Sequence, residues 1–198
     1  ALPILYEAKA ALLASKENTS LPVFCTMSFE ENGRTFTGCT PESMVMVLEG
    51  LGADAIGINC SLGPKELLPI VKRIKKWTNL PIMTQPNAGL PTISFGEAIY
   101  DISAKDFSTW VKEFIKEGVS IIGGCCGTTP GFIKELRELA DNNKRVKREK
   151  VAYSAVCTPS KVIEIKGVKV IGERINPTGK KLFKEALKNN DMDYILKQ

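Results

Sequence analysis

Histidine is absent from all 198 residues. That excludes every mechanism resting on an imidazole base in this chain, and any metal site must be built from sulfur or oxygen. No apolar run approaches the ~18 residues of a membrane helix, so no membrane partner is expected. The chain opens at Ala1-Leu2-Pro3 with no initiator Met and no secretory signal. It reads as an excised piece of a longer, cytoplasmic polypeptide. None of the six cysteines forms a Cys-x-x-Cys pair. The chain is too long for a cysteine-stapled mini-domain, so they are expected as buried small hydrophobes, ligands or nucleophiles. The net charge of +5 is modest. Much of it lies in the run Lys144-Arg145-Val146-Lys147-Arg148-Glu149-Lys150. With no interleaved aromatics, that run reads as a solvated linker and not as a nucleic-acid contact.

What is present is an alternation of apolar strands and amphipathic helices. Ile4, Ala8, Ala11 and Leu12 follow helical spacing over residues 3–16. Leu21 to Phe29 reads as a strand covered on both faces. Thr40-Pro41-Glu42 opens a helix with Met44, Val45, Leu48 and Leu51 inward, and the next strand runs to Cys60. Leu67, Ile70, Val71 and Ile74 mark a helix, Leu80 to Gln85 a strand, and Pro86 to Gly89 a turn. After a longer loop, Ser103 and Asp106 form a capping-box pattern before Phe107, Trp110, Val111 and Phe114. Val119 to Ile122 is the next strand. Thr129 and Pro130 then open a helix lined by Phe132, Ile133, Leu136, Leu139 and Ala140. About four strand–helix units imply a parallel sheet with right-handed crossovers, either doubly wound or part of a (β/α)8 barrel. Both architectures gather functional groups at the carboxyl ends of their strands.

Two such ends carry cysteine. Cys60 closes Ala55 to Asn59, and Cys125-Cys126 follow Ile121-Ile122-Gly123-Gly124. Their joint reading is one Zn2+ held by Cys60, Cys125 and Cys126, with the fourth position left for a substrate thiol. Three thiolates leave the site near −1 in charge, so a thiol entering it loses its proton at neutral pH and keeps its nucleophilicity. Buried core thiols or a vicinal disulfide are the competing readings of Cys125-Cys126. Cys39 is the substitute ligand, Cys25 reads as strand interior and Cys157 as linker. Thr26, Asn59 and Gln85 sit at or just past strand ends and are candidates to face the substrate.

The segments Gly57-Ile58-Asn59-Cys60 and Gly123-Gly124-Cys125-Cys126-Gly127-Thr128-Thr129-Pro130 resemble the zinc signature of homocysteine S-methyltransferases. The resemblance implies a (β/α)8 barrel of which residues 1–143 are the C-terminal half, with homocysteine as substrate. The upstream half would be supplied as another chain or as further residues, or the piece would self-associate. Past a linker at 144–160, Ser160 to Gly179 reads as a hairpin turning near Lys166-Gly167. Gly172-Glu173-Arg174-Ile175-Asn176-Pro177-Thr178-Gly179 resembles the first strand and loop of pterin-binding barrels, so 161–198 would begin a second barrel, with Asn176 contacting the pterin of methyltetrahydrofolate. A homocysteine barrel followed by a folate barrel is the order in cobalamin-dependent methionine synthases, which implies methylcobalamin on a separate domain as methyl donor. A betaine- or S-methylmethionine-dependent relative and a structural zinc protein with a fourth protein ligand are the alternative expectations.

Overall fold

The computed structural model describes residues 4–94, 97–100, 102–144, 146–171 and 175–198. Two compact units divide after Glu164. In the first, the elements run α1 (Leu5–Asn18), β1 (Phe24–Met27), α2 (Pro41–Gly50), β2 (Ala55–Asn59), α3 (Pro64–Ile74), β3 (Ile82–Gln85), β4 (Thr92–Ser94), β5 (Glu97–Ile99), α4 (Ala104–Lys116), β6 (Ile121–Ile122), α5 (Pro130–Asn142), β7 (Ala155–Thr158) and β8 (Lys161–Glu164). The second holds α6 (Lys181–Lys188) and α7 (Met192–Leu196), which pack on each other.

The four strands β1, β2, β3 and β6 are all parallel and lie in chain order. A doubly wound sheet reverses its order at a switch point; this sheet does not. Successive helices touch in sequence, α1 on α2, α2 on α3, α3 on α4 and α4 on α5, which places them in one layer. Beneath that layer lies the core. Met44, Val45 and Leu48 of α2, Leu67, Val71 and Ile74 of α3, and Phe107, Val111 and Phe114 of α4 pack with Met27, Ile56, Ile58 and Ile82 of the strands. Each such side chain contributes roughly 1.5–3 kcal/mol by leaving water. The opposite face carries Thr26, Gly57 and Met83 in one register row and Asn59 beside Gln85 in the next. At its edge Phe24 is 53% exposed, so this face lacks a covering layer among the described residues. Gly57 is there for a steric reason. A Cβ would stand 1.9 Å from the Met83 carbonyl oxygen, so only glycine allows β2 and β3 to approach as they do.

Local chemistry sets the helix starts. The Thr40 hydroxyl accepts the Ser43 N–H at 3.2 Å, and Pro41 takes the first helical position. Ser103 accepts the Asp106 N–H at 3.1 Å, while its own hydroxyl donates to the Asp106 carboxylate at 2.6 Å. Thr129 occupies the N-cap of α5, but its hydroxyl caps no first-turn N–H among the described residues. Ile133 and Ala140, expected inward on α5, are exposed, and only Leu136 of that helix is buried. The loop expected over 90–102 contains the β4–β5 hairpin, which pairs Thr92 with Ile99.

The stretch after α5 is not simply solvated. Arg148 donates to the carbonyls of Thr78, at 3.0 Å, and Leu80. Asn79 and Val151 exchange two hydrogen bonds of 2.8 Å, and the Tyr153 hydroxyl donates to the Trp77 carbonyl at 2.8 Å. These carbonyls lie in the connection between α3 and β3, outside helix and strand, so an adjacent chain that brings donors is held there. The hairpin expected to turn at Lys166-Gly167 lies earlier, at β7–β8, with Pro159-Ser160 as its two-residue turn. Neither residue takes a positive φ, and proline's fixed angle suits the first central position of such an unprimed turn. Cys157, expected in a linker, therefore stands in β7, which packs with β8 against α2.

Arg73 of α3 holds α2 in place. Its guanidinium donates to both Glu42 oxygens, at 2.7 and 2.8 Å, and to the Gly33 carbonyl at 3.1 Å. Burial raises the Glu42 pKa, but the Arg73 hydrogen bonds outweigh it and keep the carboxyl below its ordinary range. The folded-state pKa is thus depressed. The resulting stability is present above the unfolded-state value of about 4.3 and is lost as the pH falls through the folded-state value. Glu42→Gln is expected to lower stability by about 1 kcal/mol at pH 7, and to flatten the acid limb of stability against pH in urea unfolding.

Candidate metal centre

Register brings the cysteines together. β2 and β6 flank β3, with Asn59 opposite Gln85 and Ile122 opposite Thr84, so the chain leaving β2 and the chain leaving β6 emerge on one rim. There the Cys60, Cys125 and Cys126 sulfurs lie within 4.8 Å of one another. Cys60 Sγ is 3.6 Å from Cys126 Sγ, and Cys125 Sγ is 3.9 Å from Cys126 Sγ. Tetrahedral thiolates at about 2.3 Å from zinc stand about 3.8 Å apart. The donor set fits that ion in both chemistry and spacing.

The backbone at each cysteine is held by its surroundings. Cys60 donates its N–H to the Gln85 carbonyl at 2.9 Å. Cys60 and Ser61 then adopt φ of 60° and 61°, left-handed conformations that cost non-glycine residues free energy and cluster at functional sites. Cys125 donates its N–H to the Pro86 carbonyl at 2.8 Å, and the Cys126 carbonyl accepts the Ala88 N–H at 2.9 Å. The Asn87 side-chain oxygen accepts the Cys126 N–H at 3.2 Å. Of the three glycines framing the pair, only Gly127 has a left-handed φ, at 78°.

Electrostatics follow from crowding. Burial raises the Cys60 thiol, but the Ser61 N–H and hydrogen bonds from Cys126, Cys125 and Asn87 outweigh it, and the net shift is downward. Burial and the neighbouring Cys60 push Cys125 up to about 11. Thiolates this close cannot ionise together without a cation, which is the condition a metal relieves.

Cys39, the substitute ligand, is elsewhere: it is fully buried and its thiol donates to the Thr40 carbonyl at 3.4 Å. Burial pushes its pKa up to about 11. Cys25 lies in β1, as its strand reading requires. Asn59 and Gln85 stand side by side beneath the cysteines, and Thr26 shares their face one register row back. Asn59 is 9% exposed, and its Oδ1 has no hydrogen-bond partner among the described residues. Two residues of this site were not singled out from sequence. Asn87 read only as part of a turn, where asparagine is common for local reasons. Tyr100 lay in an expected loop; its ring rests against Gly127, where an added Cβ would meet it at 2.4 Å.

The homocysteine S-methyltransferase family profile matches residues 1–140. The chain belongs to the homocysteine S-methyltransferase family. It is 34% identical over 202 residues to the methionine synthase of Mycobacterium tuberculosis and 33% identical over 206 residues to that of Mycobacterium leprae. Each match covers 97% of this chain, which spans 17% of those relatives' length. Among solved structures, it is similar to the homocysteine methyltransferase MmuM of Escherichia coli. The apo form aligns with TM-score 0.58 and 21% identity, over 70% of this chain and 48% of that one; the metallated form aligns with TM-score 0.56 and 22% identity, over 69% and 42%. At that identity the likeness is one of fold. In this member of the family, no helix among the described residues is long and apolar enough to cross a membrane.

Asn87→Ala leaves the Cys126 N–H without its acceptor. Metal-free protein carrying it should unfold about 1–3 kcal/mol more easily, measured by urea titration under reducing conditions.

Proposed function

We propose that this chain is the zinc-binding half of a homocysteine S-methyltransferase barrel within a cobalamin-dependent methionine synthase, joined to the start of a pterin-binding domain. The observation that carries the reading is the group of three thiols within 4.8 Å at one strand-end rim in a member of this family. Cys60, Cys125 and Cys126 would hold the ion. When bound, zinc supplies an open position and the positive charge that lets the homocysteine thiol shed its proton near neutral pH. The chain's own part is to keep those sulfurs converged. The Ser61 N–H and the Asn87 amide favour ionised Cys60, and the strained turn at Cys60-Ser61 aims the first sulfur toward the other two. No fourth cysteine or carboxylate joins the cluster among the described residues, which supports an open, catalytic position over a closed structural one.

Asn59 and Gln85, beside the cysteines, and Thr26, behind them on the same face, would line the homocysteine pocket; the unpartnered Asn59 oxygen supports such a role. An uncovered sheet face, exposed Phe24 and alignment to 48% of a complete homologous fold support a barrel completed by a further half. In the cobalamin-dependent reading, the methyl group would come from methylcobalamin on another domain, which methyltetrahydrofolate would remethylate. The match to methionine synthases through 97% of the chain, tail included, favours this over the betaine- and S-methylmethionine-dependent alternatives. Asn176 would meet the pterin. It is exposed and accepts the Thr178 N–H at 3.0 Å, while residues 172–174 of its motif lie outside the described residues.

Metal analysis of full-length protein tests the site. Wild type should carry about one zinc per barrel, and Cys→Ser at 60, 125 or 126 should each reduce it severely and abolish homocysteine methylation. Full zinc retention in all three variants would refute the site.

A further inference from the structure

The adjacent cysteines sit in a tight turn formed by Cys125, Cys126, Gly127 and Thr128, closed by the Thr128 N–H on the Cys125 carbonyl at 3.2 Å. Gly127 has a left-handed φ of 78° and Cys126 has none, so the turn is type II with glycine where that class requires it. Neighbouring segments hold three of the four backbone polar groups of the two cysteines. The Pro86 carbonyl accepts the Cys125 N–H, the Asn87 side-chain oxygen accepts the Cys126 N–H, and the Ala88 N–H donates to the Cys126 carbonyl. The fourth, the Cys125 carbonyl, is held from within the turn, and held twice. Besides the amide, the Thr128 hydroxyl donates to it at 2.6 Å. A type II turn closes with the amide bond alone, so the hydroxyl bond is additional. Thr128 also has a seat: a Cβ on Gly124 would stand 2.6 Å from both its Cγ2 and its Oγ1. Gly124 has no left-handed φ, so glycine serves there for close approach and not for backbone freedom. The next residue, Thr129, is the one whose position suggests a cap, yet its hydroxyl caps nothing in α5 among the described residues.

We propose that Thr128 is a positioning residue of the metal centre: its hydroxyl, seated against Gly124 and bonded to the Cys125 carbonyl, locks the turn that aims the Cys125 and Cys126 sulfurs at one ion. The peptide joining the two cysteines is a rigid plane. Its oxygen is the Cys125 carbonyl, held by Thr128, and its N–H is that of Cys126, held by Asn87. The plane is thus gripped at both edges and cannot rotate without breaking one of these bonds. Rotation would matter, because side chains of consecutive residues in extended chain point to opposite sides. Here the two sulfurs are 3.9 Å apart, close to the separation of thiolates that share a zinc ion, about 3.8 Å. Thr128 acts on this separation through the backbone and not on a sulfur. Outer hydrogen bonds that orient ligands alter metal affinity about 10–100-fold. The inference rests on the zinc reading, with both cysteines as ligands.

Two variants of the full polypeptide separate the hydroxyl from the shape of the side chain. Thr128→Val keeps the branch and removes the hydroxyl, and Thr128→Ser keeps the hydroxyl and removes the methyl group. By chelator competition, Thr128→Val should hold zinc about tenfold more weakly than wild type, and Thr128→Ser should hold it as wild type does. In cobalt-substituted protein the ligand-field bands, which report the angles between the sulfurs, should shift in Thr128→Val alone. A hydroxyl that merely stabilised the fold would lower the urea midpoint of metal-free Thr128→Val and leave its zinc affinity and cobalt bands unchanged; that result overturns the proposal. So does a Thr128→Ser protein as weak in zinc as Thr128→Val, since methyl packing on Gly124 would then be the operative contact. Wild-type protein that binds no zinc would instead sink the underlying metal reading.

Discussion

Three sulfurs from two distant stretches must meet without a disulfide and without any histidine to help. The parallel register of β2, β3 and β6 makes that possible. Strands that run the same way end on the same rim, and one intervening strand leaves the gap that the Cys60-Ser61 turn and the Cys125–Gly127 turn close. A shift of one residue in β2 would carry Asn59 to the helix layer and turn Cys60 away from its partners. Gly57, pressed on the Met83 carbonyl, and the buried rows of Ile56, Ile58 and Ile82 hold that register. The core beneath the helices therefore underwrites the chemistry on the opposite side of the sheet.

Strain and crowding gather where that chemistry is expected. Two consecutive non-glycine residues take left-handed backbone at the end of β2. Sulfurs that would repel as thiolates stand at mutual distances suited to a shared cation. An asparagine oxygen is buried without a partner beside them. Each costs stability in the chain by itself. The surrounding contacts that tolerate this cost, from Asn87, Ala88, Pro86 and Tyr100, all come from the segment after β3. That segment works as a frame around a site whose sulfurs it does not itself supply.

Beyond the rim, the chain after α5 is tied down by donors to the carbonyls of Trp77, Thr78 and Leu80. The run of basic residues read as solvated is in part a clasp. Charge pattern alone misleads here, because an arginine that donates to loop carbonyls has the same sequence as one that faces water.

Much was legible from residues alone. The apolar periodicities of α2, α3 and α4, the caps at Thr40 and Ser103, the strand ends at Asn59 and Ile122, and the glycine-framed cysteines are local features, and local sterics and burial dictate them. The sheet order, the β4–β5 hairpin, the early turn at Pro159-Ser160, and the recruitment of Asn87 and Tyr100 are not local. A turn asparagine and a loop tyrosine look the same whether they face water or pack on the cysteine loop. Only the packing of β3 between β2 and β6 decided that these two would stand over the cysteines, because proximity across 26 or more residues is a property of the assembled sheet and not of any stretch of chain.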